Sequence, residues 1–585
     1  MSDKPEKLSP VEGVKAKSNF LRGDIAKELV DANDFFGKAS VNLLKTHGTY
    51  QQDDRDARKE VRKEAGAKPR AKLISYMVRA RIPGGKLTAK QFLAQLDLCD
   101  EIGNTTLRVT TRQGIQLHGI LKRNLHAAIN RINEIQLTTL AACGDVVRNV
   151  MCNPAPFVGP LHQEVQAFAD KLSTYFLPRT KGYHEIWVSS GDVNDENGDR
   201  QLVAGGDPET IEPIYGATYL PRKFKIAVGL PENNSTDIYS NDIGFIAVHD
   251  GQKILGYNVI AGGGMGVTPS AKKTFPALAH EICFATPEQV LDVGTAIVKV
   301  QRDFGNRADR KVARLKYTIA NMGLEAFRAK VAEYAGFALT PTKLVTMSVA
   351  TDDLGWNQQG DGKWFYGLYV ENGRVKDEDA YRLKSALRAI LTKYQPEVRL
   401  TAHQNVIFCN IAAEDRAGYT AILREHGVPL TEDLTPVRRL SMACPALPTC
   451  SLAVADSERI HPQLMDGIDA KLAELGLAEE VFATHMTGCP NGCARPYSSD
   501  LGIVGKTLGK YTIFLGGNVL GTRLSFIYRD LVPLDEVLPV LTPVFERFRD
   551  ERNPGEKFGD FCHRLGSEGL GAEAAAVVEG EEDGE

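Results

Sequence analysis

From Leu107 to His118 the chain reads LRVTTRQGIQLH, an alternation that places Leu107, Val109, Ile115 and Leu117 on one face of an extended strand. The opposite face carries Arg108, Thr110, Arg112, Gln116 and His118. Such a face is either solvated or built for anions, because guanidinium forks match carboxylates and phosphates. The same pattern returns 291 residues later as VRLTAHQNVIF, where Arg399, Thr401 and Gln404 match Arg108, Thr110 and Gln113. Both copies follow a similar preamble, RARIPGGKLTAKQFLAQLDLC and LYVENGRVKDEDAYRLKSALR, each predicting strand, turn, strand start and amphipathic helix. Further on, VRNVMCNPAP and RLSMACPALP align Cys152 with Cys444 at an offset of 292. The repeat predicts an α/β (α+β) fold made of a pseudo-twofold duplicated module, each copy with a smaller ferredoxin-like half and a larger half.

The two ends break this pattern. Residues 1 to about 70 contain few apolar runs and close on QQDDRDARKEVRKEAGAKPR, which predicts an extended or helical arm rather than packed core. GAEAAAVVEGEEDGE at the other end is acidic, has nothing to bury and predicts disorder. Apolar residues at 43% and charged residues at 25% lie in the globular range, no apolar run is long enough to span a membrane, and the start resembles neither a signal nor a transit peptide. A cytoplasmic protein is expected. A net charge of -4 excludes a globally basic nucleic-acid binder.

Cysteine placement changes the picture. Of ten cysteines, four fall within SMACPALPTCSLA and HMTGCPNGCARPYSSD: Cys444, Cys450, Cys489 and Cys493, a C-x5-C and a C-x3-C separated by 38 residues. Iron-sulfur clusters take four thiolates, whereas zinc knuckles favour C-x2-C, so a cluster fits best and zinc or unligated buried thiols stay open. In the second copy the polar face has become Arg399, Thr401, His403, Ile407 and Cys409. Copy one thus retains anion-binding residues and copy two carries the cysteines, the division expected of one shared site. Arg79, Arg148, Lys223 and Lys225 form a third group; the lysines share a strand face in YLPRKFKIAVGL, although each alone reads first as a surface charge. NVIAGGGMG reads as a loop whose backbone approaches something closely and is not a dinucleotide fingerprint.

Taken with SNFLRGDIA, HGTYQQDDRDAR, GNRADRK and FLGGNVLGTR, these motifs resemble the haemoprotein (beta) components of NADPH-dependent assimilatory sulfite reductases, in the sulfite/nitrite reductase superfamily, from about Asn19 to Gly566. The resemblance implies an N-terminal arm (1–72) for partner docking, ferredoxin-like halves at 73–142 and 343–428, sulfite reductase halves at 143–342 and 429–570, and a tail at 571–585. It implies a [4Fe-4S] cluster on Cys444, Cys450, Cys489 and Cys493, with Cys493 also the proximal ligand of sirohaem. Arg79, Arg148, Lys223 and Lys225 would face sulfite as catalytic residues. Arg108, Thr110, Arg112, Gln116, His118, Arg222, Lys311 and Asn491 would contact the sirohaem. Because sirohaem bears many carboxylates, some of the first group are alternatively cofactor clamps. FMN, FAD and NADPH are expected only on a flavoprotein alpha subunit in a hetero-oligomer, since the chain shows no flavodoxin-like or nicotinamide site. A ferredoxin-dependent sulfite or nitrite reductase and a non-enzymatic electron carrier remain the alternatives.

Overall fold

The alternation at Leu107–His118 does not make one strand. The computed structural model describes residues 7–56, 72–179, 212–268 and 271–572, together with the backbone of strands Ile186–Ser189 and Arg200–Ala204. In it, strands Leu107–Val109 and Ile115–Ile120 form a hairpin with Arg108 opposite Gln116. Thr110 folds the turn, its Oγ1 accepting the backbone N–H groups of Arg112 and Gly114 at 3.3 Å each, and Gln113 takes φ 50°. Opposed residues share a face across the hairpin, so the apolar positions still point into one core. The second copy repeats the device: Thr401 Oγ1 accepts from His403 and Asn405 at 3.2 and 3.1 Å, and Gln404 takes φ 73°. Each turn glutamine then anchors the next segment, Gln113 Nε2 to the Cys152 carbonyl at 2.8 Å and Gln404 Nε2 to the Ala443 carbonyl at 3.0 Å.

The duplication is mixed α/β and intertwined. One small sheet runs Thr49–Asp53, Ile74–Ala80, Ile115–Ile120, Leu107–Val109, and is completed by Arg374–Val375 from the second copy. The other runs Gly355–Gln358, Trp364–Leu368, Val406–Ile411, Glu397–Leu400, and is completed by Lys86–Thr88 from the first. Exchanged edge strands leave the two small halves sharing one apolar core, in which Phe92, Leu96, Leu387 and Ile390 of the covering helices Ala89–Glu101 and Leu383–Tyr394 are fully buried. Thr88 and Gln91 close the first of these helices with a capping box.

Each larger half is a five-stranded sheet of the same topology. Val147–Met151, Phe224–Gly229 and Ile243–His249 are parallel, followed by antiparallel Ile254–Ala261 and His280–Ala285. Ser441–Ala443, Thr484–Thr487, Leu501–Thr507, Lys510–Leu515 and Phe526–Pro533 repeat that order. Both sheets present the carboxyl ends of their parallel strands toward the centre, where loops carry chemistry in open α/β sheets.

The N-terminal segment packs where an extended or helical arm outside the core was expected. Leu21, Phe36, Leu43 and Leu44 are buried, Lys15 donates to the Leu220 carbonyl at 2.8 Å, and Thr49–Asp53 pairs with Ile74–Ala80. Its apolar residues are single and spaced across short helices, so no periodic run announced them. Residues 57–71 of the charge-dense run, and the acidic tail from residue 573, lie outside the described residues.

Candidate functional site

Four thiols and a group of buried cations meet where the hairpin turns face the large sheets. Cys444 follows the strand Ser441–Ala443, and Cys489 and Cys493 lie in the loop after Thr484–Thr487. The parallel pairing of these strands brings the two motifs together. Cys444, Cys450, Cys489 and Cys493 all feel one another electrostatically, and none is disulfide-bonded. Burial and the neighbouring thiols push the Cys489 thiol up to about 11 and Cys444 higher still, a cost that metal ligation relieves by fixing the thiolate. Gly488 N–H points at Cys444 Sγ at 3.4 Å and Asn491 Nδ2 at Cys489 Sγ at 3.5 Å, contacts that stabilise thiolate charge. Gly488 is required because a Cβ there would stand 2.4 Å from Ala446 Cβ and the Ala455 carbonyl. Among the described residues no three His, Cys, Asp or Glu gather as they would about a single ion. The all-cysteine donor set, on a C-x5-C and a C-x3-C, fits a four-iron cluster.

Cys493 differs from the other three. It is exposed, whereas Cys444 and Cys489 are buried. Lys223 and Arg108 both lie within electrostatic reach of its sulfur.

The cations form a cradle beside it. Arg112 leaves the turn and donates to Asn241 Oδ1 at 2.5 Å and to the Asn149 and Ile226 carbonyls. Its Nε remains buried without a partner. Around it Arg79, Arg148, Lys223, Lys225 and Arg314 repel one another electrostatically, and Arg222 joins through Arg148. Burial, then Arg222, Arg148 and Arg314, push Lys223 down to about 7. Lys225 is driven well below the ordinary lysine range by burial, Arg112 and Lys223. Burial and Arg148 bring Arg112 to about 9. The nearby acids are already engaged: Asp242 pairs with Arg314 at 2.7 Å, and Asp145 with Arg310 at 2.8 Å. So large a surplus of desolvated positive charge is unfavourable without an anion to neutralise it. A polycarboxylate cofactor and an oxyanion substrate fit that demand.

Other expected residues take different parts. Arg79 Nη1 lies 2.8 Å from Cys143 Sγ, and its Nε reaches the Gln116 amide oxygen at 3.2 Å once that amide is turned to accept. Arg148 is held by the Gly144 carbonyl at 3.2 Å and by Tyr50, whose hydroxyl is raised to about 12 by burial and Cys143. Thr110 is spent on its own turn. His118 has Nδ1 3.3 Å from Gln52 Oε1 and an unpartnered buried Nε2. Arg108, expected to contact the sirohaem, is fully buried, ion-pairs with Glu458 and donates to the Ala443 carbonyl at 2.7 Å. Glu458 also takes Arg374 at 2.6 Å and donates its own N–H to the Cys444 carbonyl at 3.1 Å, so Arg108 braces the cysteine loop. Asn491 faces Cys489, and Lys311 sits exposed on the turn Arg310–Val312. Arg314 and Lys316, three and five residues beyond Lys311, lie within electrostatic reach of Lys223.

Arg314 and Lys316 explain the glycine-rich loop. A Cβ on Gly264 would stand 2.2 Å from Arg314 Nη1, and Lys316 Nζ donates to the Gly264 and Gly266 carbonyls at 2.9 Å. Val267 N–H bonds the Pro490 carbonyl at 2.9 Å, locking this loop of copy one onto the cysteine loop of copy two.

Comparison with known proteins settles the family. The nitrite and sulphite reductase 4Fe-4S domain model matches residues 160–339 and 436–579, and the nitrite/sulfite reductase ferredoxin-like half domain model matches 72–135 and 357–426. This chain belongs to the nitrite and sulfite reductase family. It is 44% identical to the "Sulfite reductase [NADPH] hemoprotein beta-component" of Shewanella sp. (strain ANA-3), over 96% of this chain and 97% of that protein. The protein of the same description from Myxococcus xanthus (strain DK1622) is 43% identical over 97% and 98%. The solved structure of Mycobacterium tuberculosis NirA superposes with a TM-score of 0.77 at 22% identity, covering 97% of this chain and 98% of that one, and shows the same fold. As a family member the chain is an oxidoreductase of the [4Fe-4S] and sirohaem class.

Tyr50, Cys143, Arg314, Asp237 and Arg495 escaped sequence reasoning. A signal for the last two existed: NNSTDIYSNDIG (233–244) repeats as NGCARPYSSDLG (491–502) at a constant offset of 258.

Proposed function

We propose that this chain is the haemoprotein subunit of an assimilatory sulfite reductase, reducing sulfite to sulfide with electrons from an NADPH-dependent flavoprotein partner in the cytoplasm. The observation that carries the reading is the surplus of buried cations within reach of the exposed Cys493 sulfur. No helix among the described residues is long and apolar enough to cross a membrane.

Cys444, Cys450, Cys489 and Cys493 would hold the cluster, and Cys493 would also ligate sirohaem. Sirohaem held there would supply the redox chemistry of the reduction. The chain's own residues provide charge and protons. Sulfite takes six electrons and loses three oxygens as water, so each S–O cleavage needs protons and stabilisation of charge on the departing oxygen. Arg79 and Arg148, held by Gln116, Cys143, Gly144 and Tyr50, would clamp the oxyanion. Burial and the neighbouring cations disfavour the ammonium forms of Lys223 and Lys225, so these two lysines, rather than the arginines, would serve as the proton donors. Arg112, Arg222 and Arg314 neutralise cofactor carboxylates.

Purified chain reconstituted with an NADPH-flavoprotein donor is expected to consume six electrons per sulfide released. Robust turnover with ferredoxin and none with the flavoprotein would reject the partner assignment, and preference for nitrite would reject the substrate.

A further inference from the structure

We propose that Arg495 is the positioning residue for Cys493: one guanidinium, seated on the pseudo-twofold axis, ties the cysteine loop to Asp237 and to both hairpin turns.

The repeat at offset 258 makes Asp237 and Arg495 equivalent positions, and the offset of 291 makes Thr111 and Ala402 equivalent. Asp237 and Arg495 share the left-handed conformation, with φ 46° and 57°, and they ion-pair with each other while almost fully buried. Two copies of one position in contact place the pair on the axis. Identical charges would repel there, so a duplicated chain needs opposite ones at this point. The remaining arms of the fork reach the turns: Arg495 Nη2 donates to the Ala402 carbonyl at 2.9 Å and Nη1 to the Thr111 carbonyl at 3.5 Å. Thr111 closes the circuit, its Oγ1 donating to the Cys493 carbonyl at 3.2 Å. Arg495 N–H in turn bonds the Gly492 carbonyl at 3.1 Å, so the tight bend carrying Cys493 is pinned on both sides.

The symmetry break at the ligand itself lies two residues earlier. The copy-one equivalent of Cys493 is Ser235, whose Oγ receives Asn153 Nδ2 at 2.9 Å in a fully buried setting. The copy-two residue is exposed, with Lys223 in electrostatic reach of its sulfur, and its carbonyl accepts from Thr111 Oγ1, while the Thr111 carbonyl is held by Arg495 Nη1. Arg495 thus sets where the sulfur stands without touching substrate, which makes it a positioning residue.

The inference rests on the function proposed above, in which Cys493 joins cluster and haem. The test compares cofactor-loaded wild type with Arg495→Lys and Asp237→Asn by iron and sulfide content, haem absorption, paramagnetic resonance of the cluster–haem pair, and kcat and KM for sulfite. Arg495→Lys keeps the charge and loses the fork. It is expected to retain both cofactors, shift the axial-ligand absorption, weaken the coupling between the centres, and lower kcat about 10-fold with KM within about twofold. Asp237→Asn, which leaves both carbonyl bonds in place, is expected to move the same signals less. Unchanged spectra in Arg495→Lys, or a raised KM with unchanged spectra, would overturn the inference. Should Arg495→Lys lose its cofactors or fail to fold, Asp237→Asn decides, and an unshifted axial band there overturns it. A wild type without cluster–haem coupling would instead sink the functional reading beneath it.

Discussion

The turns Thr110–Gly114 and Thr401–Asn405 have one backbone design and opposite electrostatics. Both are folded by a threonine hydroxyl and both anchor the next segment through a glutamine. The third residue of the first is Arg112, which enters a crowd of cations whose acids are already engaged. The third residue of the second is His403, which meets two carboxylates, Asp352 at 2.8 Å and Asp237 at 3.8 Å. The space beside His403, bordered by Asp237 and His485, has closed to about 10 Å³, room for a single water at most. One copy therefore leaves positive charge unanswered and must import an anion, while the other answers its charges internally. The two equivalent turns of the duplication thus differ in charge balance.

The most disruptive test removes the link between the copies. Cys493→Ser is expected to cut sulfite turnover by roughly 100-fold or more and to alter haem absorption, because the ligand proposed to be shared by both cofactors is lost. Preserved turnover would detach Cys493 from the open site. Lys225→Met acts on the charge surplus itself; kcat should fall about 100-fold, as for loss of one preorganised transition-state donor, and steady-state kinetics at saturating sulfite checks it.

A pH profile sharpens the contrast. Lys223 sits near 7 because burial and Arg222 disfavour its charged form, so its protonated fraction falls as pH rises through that value. Turnover limited by its proton should decline on the alkaline side, by roughly 10-fold per pH unit beyond the limb, and bound anions move the limb upward. The stability sign is opposite in the cofactor-free chain. A folded pKa below the unfolded 10.5 means the unfolded state holds more protons between about 7 and 10.5, and stability rises with pH across that window.

His403→Arg probes the closed copy. Arginine cannot reproduce the paired His403–Asp352 contact in so small a space, so thermal melting should report a loss of about 1–3 kcal/mol while turnover of the folded protein stays within about twofold. A large loss of turnover at unchanged stability would mean that the closed copy takes part in the reaction.

Much of this contrast was legible in the sequence. The four cysteines, the repeated Arg-x-Thr-x-x-Gln and the approach of the Gly-rich loop all follow from local pattern, since each depends on a few neighbouring residues. What remained hidden depends on chain crossing. The exchanged strands Lys86–Thr88 and Arg374–Val375 pair with the other copy, and no periodicity in three or two residues encodes that. Arg108 illustrates the same limit: its strand face was predicted, yet Glu458, 350 positions away, decides that it braces the cysteine loop.

Sulfite titration of the haem spectrum in wild type and Lys225→Met tests the open cradle most directly. The account predicts saturable perturbation in wild type and at least about 10-fold weaker binding in the variant at equal haem content, the expected loss of a charge-assisted contact. Equal affinity in the two proteins would contradict it.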